Sequence, residues 1–437
     1  MTRGLVVAAP ASASGKTVVA LALLRALARR GMRVAAAKSG PDYIDAGLLE
    51  AAAGSACRNL DVWAMRDETL AANLAALAPA DVVVCEGAMG LFDGIGAAGE
   101  GSTAALASRL GWPVVLVVDA AGQGASVAAL VAGFARHRAA TPLAGVILNR
   151  VGSVRHRALL AAALAVELPQ LPLFGALPRD AALALPARHL GLVPAGEQKA
   201  LDDFLDRAAA ILEQYVDVAR VAALAAPAAM TAQRAPPPLP PLGSRIAVAR
   251  DDAFVFAYPA VLAGWRDAGA AISFFAPLED EAPDAAADAV YLPGGYPELH
   301  AGRLAAAERC RAALAALAAR GAVVYGECGG YMMLGAGLVD AHGTRHRMAG
   351  LLPLETSFAA RGLHLGYRRV ALAAAGPLGE SGAAYRGHEF HYATICHEGA
   401  GAALFHATDA TGTTLGAVGR IRGTVMGSFV HLVDRAA

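Results

Sequence analysis

The sequence predicts an α/β protein with two domains, each built on a mainly parallel sheet. Short apolar segments alternate with longer alanine- and leucine-rich helical segments from residue 4 to about residue 195. A proline-rich segment, RAPPPLPPLGS at 234–244, then interrupts the pattern as a semi-rigid linker would. The alternation resumes at Arg245, and the part after about Gly350 is richer in strands. We therefore expect domains at 1–195 and 244–437, with a helical segment and linker at 196–243.

The overall composition fits two large buried cores. Hydrophobic residues make up 56% of the 437 residues and charged residues 17%, which argues against disorder. Lys plus Arg and Asp plus Glu both number 37, so no net field favours nucleic acid or an anionic membrane. The cysteines form no CxxC pair, which favours a reducing cytoplasm over a disulfide framework or a zinc site. Four of them are expected in the core: Cys57, Cys85, Cys310 and Cys396.

Continuous apolar runs, typical of buried parallel strands, mark the strands of the first domain. They are GLVVAA, RVAAAK, DVVVCE, PVVLVVDA and AGVILN. The first helix, from Val18 to Arg30, ends in two arginines and Gly31, which suit a last turn and the position after it. In such a doubly wound sheet, ligands bind beyond the carboxyl ends of the strands. The residues that follow the strands are therefore the candidate site residues.

The segment APASASGKT, at 9–17, lies between the first strand and the first helix. Its second half matches the phosphate-loop consensus GxxxxGK(S/T), whereas Pro10 stands at the first glycine position. Backbone N–H groups at Ser14 and Gly15 would cradle phosphate oxygens. Lys16 would neutralise the β- and γ-phosphates, and Thr17 would hold Mg²⁺ through its hydroxyl. The motif predicts ATP and Mg²⁺ as ligands; an accidental GKT is the alternative, which the strand–loop–helix order disfavours.

Polar residues also follow the other strands. Glu86 ends DVVVCE and is a second candidate Mg²⁺ ligand, with a helix-capping acid as the alternative. The turn KSGPDYID would order Mg²⁺ or orient an acid substrate against the γ-phosphate. Asp42 is its candidate Mg²⁺ ligand, and a solvated turn residue is the alternative for Asp45. Asn149 would read an adenine edge or be an ordinary turn residue. The substrate-carboxylate candidates are Lys38, Asp42, Tyr43 and Asp45.

Cys328 lies in AVVYGECGGYMML, an apolar strand followed by a glycine turn and a helix. This arrangement is typical of a nucleophile elbow, with sulfur at a helix N-terminus. Oxyanion donors would be the N–H of Gly329 and that of Gly294 or Gly295 in LPGGYPE. His431 in GSFVHLVD is the candidate base. A buried structural cysteine is the alternative.

The segment HEFHY, at 388–392, carries two histidines that suggest a metal site. Residues three apart on a strand face opposite sides, so His388 and His391 are not expected to chelate one ion. Glu389 and His391 share a face. We expect them to contact substrate, to support Cys328 and His431, or to have a structural role.

Together these motifs resemble the cobyrinic/hydrogenobyrinic acid a,c-diamide synthases of corrin biosynthesis, almost from end to end. The motifs that carry the resemblance are GKT, KSGPDYID, RNLDVWAM, EGAMGLFDG, LPARHLGL, LPGGYPELHAG, GECGGYMMLG, HEFHYATI and GSFVHL. The resemblance implies a P-loop ATP-binding domain like dethiobiotin synthetase, followed by a class I glutamine amidotransferase domain of the cobyrinic/cobyric type. It also implies that Cys328 is the nucleophile, that His431 activates it, and that Asp42 and Asp45 help to present the substrate carboxylate.

In many amidotransferases of this kind an acid lies two residues after the histidine. Here that position is Val433, so we treat Cys328 and His431 as a dyad. The implied reaction is ATP- and glutamine-dependent amidation of the a and c acetate side chains of a corrin. The segment ISFFAPLEDE and the overall similarity favour the aerobic branch, which uses metal-free hydrogenobyrinic acid. Cobalt-containing cobyrinic acid or another tetrapyrrole is the alternative.

The implied mechanism joins two half-reactions. Cys328 releases ammonia from L-glutamine, and transfer of the γ-phosphate of ATP activates a corrinoid carboxylate as an acyl phosphate. We expect a corrinoid substrate and neither nucleic acid nor a membrane as partner. A homodimer is one expected oligomeric state, because P-loop domains of this group often pair. Two hypotheses of other classes are a partitioning-type ATPase fused to a glutaminase-like module, and a cysteine hydrolase or chaperone-like C-terminal half. The first leaves KSGPDYID unexplained, and its extra loop lysine would fall at Ala11.

Overall fold

The computed structural model describes residues 1–188, 191–193, 195–197, 200–231 and 235–436. They form two compact units, and both confirm the predicted α/β class. Unit 1 comprises Met1–Trp63 and Leu70–Ala235, and unit 2 comprises Ala64–Thr69 and Pro236–Ala437. The helical segment that follows residue 195 therefore lies in unit 1. His189 and Leu190 of LPARHLGL, and Arg234 of the linker, are outside the described residues.

The central sheet of unit 1 contains the predicted buried strands. Its strands are β1 (Arg3–Ala8), β2 (Val34–Ser39), β3 (Arg58–Leu60), β4 (Val82–Glu86), β5 (Val114–Asp119), β6 (Leu143–Val151), β7 (Leu173–Pro178) and, after the short pair β8 (Ala187–Arg188) and β9 (Gly191–Leu192), β10 (Ala226–Pro227). The order is β3-β2-β4-β1-β5-β6-β7, with every neighbouring pair parallel. The strand β10 pairs antiparallel with the start of β1. The carboxyl ends of the parallel strands thus meet at one edge of the sheet.

The helices of unit 1 cover this sheet. They are α1 (Lys16–Arg29), α2 (Ile44–Ala53), α3 (Asp67–Leu77, which begins in unit 2), α4 (Thr103–Leu110), α5 (Ser126–His137), α6 (Val154–Glu167), α7 (Leu201–Tyr215) and α8 (Val218–Ala223), with 3-10 turns at Ala181–Leu183 and Ala195–Glu197. The helix α1 is buried because its alanines and leucines pack between the sheet and α7. Arg25 Nε donates to Asp206 Oδ1 at 2.8 Å across α1 and α7. The helix α1 is therefore fixed against α7.

Unit 2 contains a mainly parallel sheet, an antiparallel sheet and a mixed sheet. Its strands are β11 (Arg245–Ala249), β12 (Ala271–Phe275), β13 (Ala289–Leu292), β14 (Val323–Glu327), β15 (Gly337–Val339), β16 (Arg345–Arg347), β17 (Leu354–Ser357), β18 (His364–Leu372), β19 (Ala384–His391), β20 (Thr394–Glu398), β21 (Phe405–Asp409), β22 (Thr414–Val418), β23 (Arg420–Arg422), β24 (Val425–Ser428) and β25 (His431–Arg435). The first sheet has the order β12-β11-β13-β14-β24-β23, and only β23 is antiparallel. The others have the orders β22-β21-β18-β19-β25 and β16-β15-β17-β20.

Short helices join the strands of unit 2. They are α9 (Pro259–Asp267), α10 (Ala301–Ala306), α11 (Glu308–Ala319) and α12 (Gly329–Leu334), with 3-10 turns at Pro277–Glu279 and Pro297–Leu299. The helix α12 is wholly buried and starts directly after β14. In the part of the chain that the structure describes, no helix has the length and apolar character needed to span a bilayer.

Candidate functional site

The predicted phosphate loop connects β1 to α1, and Gly15 is the N-cap of α1. Gly15 has φ 94°, and a Cβ atom there would lie 2.1 Å from Nδ2 of Asn149. Both the backbone conformation and the contact therefore require glycine. Ser14 closes the loop by donating its hydroxyl to the Ala11 carbonyl at 2.8 Å. Although Pro10 replaces the first glycine of the consensus, the loop leads into the helix start where an anion would bind.

Lys16, Thr17 and Glu86 meet at the start of α1. The Thr17 hydroxyl donates to Glu86 Oε1 at 2.5 Å, and Lys16 Nζ lies 3.6 Å from the same oxygen. Glu86 is fully buried at the end of β4, so its charge depends on these partners. A hydroxyl and a carboxylate side by side form an oxygen donor set of the kind that Mg²⁺ prefers. Thr17 and Glu86 therefore fit the predicted Mg²⁺ site.

Lys38 pairs with two of the predicted carboxylates. Its Nζ lies 3.0 Å from Glu86 Oε2 and 2.5 Å from Asp45 Oδ2. Burial alone would lower the pKa of Lys38, but Asp45, Glu86 and Asp42 outweigh burial and raise it above its usual value. Asp45 is not a solvated turn residue, because its side chain is only 13% exposed. The pKa of Asp45 is raised by burial, but Lys38 reverses that shift and holds it below the usual range.

Asp42 precedes α2 and holds its first turn. Its Oδ1 atom accepts hydrogen bonds from the backbone N–H of Ile44 at 2.8 Å and of Asp45 at 3.1 Å. Burial, with Asp45 nearby, raises the pKa of Asp42 to about 6. Tyr43 is the N-cap residue of α2 and half-buried. The structure thus brings the KSGPDYID candidates Lys38, Asp42 and Asp45 together near Glu86, while their role toward a substrate carboxylate stays a prediction.

Asn59, which the sequence analysis did not single out, supports this turn from β3. Its Nδ2 atom donates to the carbonyls of Gly40 and Asp42, at 2.9 Å in each case. Asn59 lies in RNLDVWAM, one of the motifs that carry the family resemblance, but the sequence alone did not indicate what this residue does. The structure indicates its role, because the Asn59 side-chain amide holds the backbone of the turn that carries Asp42 and Asp45.

Asn149 lies near the carboxyl end of β6, and its side-chain amide is engaged by the protein. Its Nδ2 atom donates to the Ser14 carbonyl at 2.9 Å, and its Oδ1 atom accepts from the Arg150 N–H at 2.9 Å. These contacts show a role in holding the phosphate loop. Contact with an adenine edge stays a prediction.

Cys328 occupies a strained turn between β14 and α12. Its backbone has φ 46° and ψ −101°, a conformation that non-glycine residues seldom adopt. A Cβ atom on Gly330 would lie 1.9 Å from the Leu292 carbonyl oxygen, so the turn packs against β13 and excludes any side chain there. The Cys328 N–H donates to the Ser428 carbonyl at 2.8 Å. This is the elbow geometry predicted from GECGGYM, with backbone strain at the nucleophile position.

The glycines of LPGGYPE pack around this turn. A Cβ atom on Gly294 would lie 2.2 Å from Cε1 of His431, so Gly294 supports the imidazole. The Gly295 nitrogen lies 3.0 Å from the position that a Cβ atom on Gly329 would occupy. The backbone nitrogen of Gly295 is therefore adjacent to the residue that follows Cys328. The choice between Gly294 and Gly295 as the second oxyanion donor stays a prediction.

The electrostatics around Cys328 and His431 favour neutral groups at rest. Burial, with Glu298 and Glu389 nearby, raises the pKa of the Cys328 thiol far above its usual range, and the Gly329 N–H opposes this shift. Burial, with His388 and His391 nearby, lowers the pKa of His431 to about 3. An ion pair of thiolate and imidazolium therefore requires stabilisation from other groups.

The predicted shared face of Glu389 and His391 is confirmed. Glu389 Oε1 lies 2.9 Å from His391 Nε2, and Arg368 Nε donates to Glu389 Oε2 at 2.6 Å. The ligand atoms of His364, Glu389 and His391 lie within 4.8 Å of one another. However, the two imidazoles stack at 4.6 Å with an angle of 9°, so their in-plane lone pairs do not converge on one ion. Arg368 and His391 instead account for the charge of Glu389.

The expectation that all four other cysteines lie in the core is wrong for one of them. Cys57, Cys85 and Cys310 are buried, but Cys396 is exposed on β20. From Ile395 to Glu398 this strand is exposed on successive residues, so an apolar residue type does not mark burial there. Glu327 was missed as well; it is buried immediately before Cys328 and lies 4.0 Å from His431.

Comparison with known proteins agrees with this geometry. Residues 5–193 match the CobQ/CobB/MinD/ParA nucleotide binding domain, and residues 245–436 match the CobB/CobQ-like glutamine amidotransferase domain. The chain is thus a glutamine amidotransferase with a nucleotide-binding domain.

Full-length relatives define the family more closely. Proteins named hydrogenobyrinate a,c-diamide synthase from Rhizobium meliloti, Brucella anthropi and Rhodobacter capsulatus are 55%, 54% and 52% identical to this chain. Each alignment covers 99% of this chain and at least 98% of the relative. The chain belongs to the hydrogenobyrinate a,c-diamide synthase family, which confirms the predicted resemblance and fold class.

Proposed function

We propose that this chain amidates the a and c carboxylates of hydrogenobyrinic acid, with ATP as activator and glutamine as nitrogen source. The observation that carries the proposal is the presence in one chain of a phosphate loop with its buried Lys38–Glu86–Asp45 cluster and of a strained thiol elbow at Cys328. The names of the full-length relatives support the corrinoid substrate. Cobalt-containing cobyrinic acid or another tetrapyrrole is the alternative substrate.

In the nucleotide unit, the loop N–H groups at Ser14 and Gly15 and the ammonium of Lys16 would bind the phosphates. Thr17 and Glu86 would hold Mg²⁺, with Asp42 as a further candidate ligand. When bound, the ion would neutralise charge that develops on the phosphates. Lys38 would attract the carboxylate of the substrate. A carboxylate is a poor electrophile, so its phosphorylation to an acyl phosphate provides a leaving group for ammonia.

In the glutaminase unit, Cys328 would attack the side-chain amide of glutamine while His431 accepts the thiol proton. Gly329 and Gly295 would donate backbone N–H groups to the oxyanion, and Gly294 would keep the imidazole in position. The resulting thioester is hydrolysed by water. Ammonia then displaces phosphate from the activated corrinoid in the nucleotide unit.

Mass spectrometry of the reaction products tests the proposal. Incubation with hydrogenobyrinic acid, glutamine and Mg-ATP should yield a diamide. A parallel incubation replaces hydrogenobyrinic acid with cobyrinic acid, the alternative substrate. The Cys328→Ser variant should lose amidation with glutamine but retain it with added ammonia. Loss of both activities in a folded variant, or consumption of ATP without any amide product, would refute the division of roles between the two units.

A further inference from the structure

The group that orients His431 is the open question at the thiol site. The position two residues after the histidine holds Val433, an apolar side chain that is 2% exposed. An imidazole that accepts a thiol proton becomes a cation, and a buried cation requires a compensating charge. Val433 cannot provide one, so the carboxylates that other elements of unit 2 place near the imidazole are the candidates.

Glu327, directly before Cys328 in the chain, lies next to His431. Its Oε2 atom is 4.0 Å from His431 Nδ1, and each side chain is 1% exposed. Its Oε1 atom accepts a 3.1 Å hydrogen bond from the backbone N–H of Leu432, the residue after the histidine. The carboxylate is therefore attached to the strand that carries the base.

Two buried tyrosines fix this carboxylate. Tyr291 donates its hydroxyl to Oε2 at 2.7 Å, and Tyr325 donates to Oε1 at 2.8 Å. Their rings stack with centroids 5.8 Å apart, and Trp265 packs edge-on against Tyr291. Burial raises the pKa of both phenols well above the usual value, so they remain donors. Two hydroxyls and one backbone N–H thus hold Glu327 in a single orientation.

The other groups that face His431 are His388, His391 and Glu389. The oxygens of Glu389 contact His391 and Arg368, so that carboxylate already has two partners of its own. The groups that face Glu327 are Tyr291, Tyr325 and the N–H of Leu432, all of them hydrogen-bond donors. Burial raises the pKa of Glu327 to about 7, and these donors oppose the shift. The 4.0 Å separation from His431 and the three donors that hold it favour the Glu327 carboxylate over Glu389 as the partner of a charged His431.

We propose that Glu327 is the positioning residue for His431 and takes the place of the acid that Val433 lacks. The proposal rests on the glutaminase half of the proposed function. The proton of Cys328 Sγ passes to His431 Nε2, and Nδ1 of the resulting imidazolium has Glu327 Oε2 4.0 Å away. Sulfur bonds to the amide carbon of glutamine, the carbon–nitrogen bond breaks, and Nε2 returns its proton to the departing ammonia. Water then opens the thioester, giving one proton through His431 to sulfur and leaving glutamate.

The isosteric variant Glu327→Gln tests this assignment. We expect kcat for glutamine hydrolysis to fall at least about 10²-fold with KM for glutamine nearly unchanged, because base orientation acts on the chemical step. Ammonia-dependent amidation should stay at the wild-type level, which reports a folded nucleotide unit. The Tyr325→Phe variant, which removes one donor and keeps the charge, should lose less than about 10-fold. A kcat for Glu327→Gln within threefold of wild type would overturn the proposal.

Alkylation of Cys328 by iodoacetamide, followed by peptide mass spectrometry, gives a second readout without turnover. The pH at which alkylation reaches half its maximal rate should rise by at least one unit in Glu327→Gln, and Glu327→Asp should restore most of the wild-type profile. Equal profiles for Gln and Asp would mean a packing role only and would also overturn the proposal. Failure of the wild-type protein to hydrolyse glutamine would instead refute the proposed function itself.

Discussion

Lys38 and Glu86 are register partners at the ends of adjacent parallel strands, and their side chains form a buried ion pair. The Nζ–Oε2 distance is 3.0 Å, and neither side chain is more than 1% exposed. In a buried site, each charge depends on the other, because neither can be solvated by water. The pair joins β2 and β4 at the edge where the phosphate loop begins.

Replacement of Lys38 by Met should therefore destabilise unit 1 and abolish amidation. The variant leaves Glu86 and Asp45 without their ammonium, which costs about 3–5 kcal/mol of unfolding free energy. Urea denaturation followed by circular dichroism measures this loss. Arg33→Met, at the exposed pair of Arg33 with Asp81, is the matched control and should leave the midpoint unchanged. An equal effect of both variants would contradict the importance of the buried pair.

Gly15→Ala should abolish nucleotide binding. A Cβ atom there meets Asn149 Nδ2 at 2.1 Å, and φ 94° is strained for alanine, so the loop has to move away from the helix start. Titration with an ATP analogue should show at least about a 10²-fold weaker Kd. Gly133→Ala, in α5 with open space around its Cα, serves as control and should bind normally. Wild-type affinity of Gly15→Ala would show that the loop tolerates the displacement.

Gly294→Ala should remove glutaminase activity selectively. The added methyl group would lie 2.2 Å from Cε1 of His431 and displace the imidazole from the thiol. We expect a loss of at least about 10²-fold in glutamine hydrolysis, whereas amidation with ammonia persists. Gly302→Ala, whose nearest neighbour would be 3.9 Å away, is the control. If glutamine hydrolysis survives in Gly294→Ala, the close contact does not fix the base.

The pairs of Glu389 with His391 and Arg368 should give a characteristic pH dependence of stability. Burial would raise the pKa of Glu389, but these partners reverse the shift and lower it to about 2. The folded-state pKa is thus below the unfolded value of about 4.3, so the stabilisation is full above that value and is lost as the pH falls towards 2. Glu389→Gln should therefore be less stable than wild type at pH 7, and the difference should shrink at pH 3. A constant difference in unfolding free energy across this range would contradict the stabilisation of the Glu389 carboxylate by these two partners.

Much of the nucleotide site was predictable because parallel strands bring their carboxyl ends to one edge. Lys38 and Glu86 are 48 positions apart in the chain, yet both lie at the carboxyl ends of buried strands, and the structure pairs them. The elbow at Cys328 was predictable from local turn chemistry, since glycines flank a thiol between a strand and a helix. In both cases a local pattern and one rule of sheet topology were sufficient.

The remaining contacts depend on long-range packing that no local pattern encodes. Glu327 reaches His431 only because β24 inserts beside β14, and the sequence does not reveal that order. The exposure of Cys396 depends on which strand forms the edge of its sheet, and the type of a residue does not determine that. The loop-holding contacts of Asn149 join residues 135 positions apart. Such pairings follow from the folded topology and were accordingly missed.

The short segment Ala64–Thr69 belongs to unit 2 although it lies far from the rest of that unit in the chain. Its Arg66 binds Asp434 through a guanidinium pair at 2.9 Å and a backbone N–H at 2.8 Å, and the Asp434 side chain is fully buried. The glutaminase unit is consequently not contained in a single continuous segment of the chain. A recombinant piece starting at residue 236 would leave the buried Asp434 side chain, three residues after His431, without its Arg66 partner, so separating the two activities calls for point variants of the whole chain.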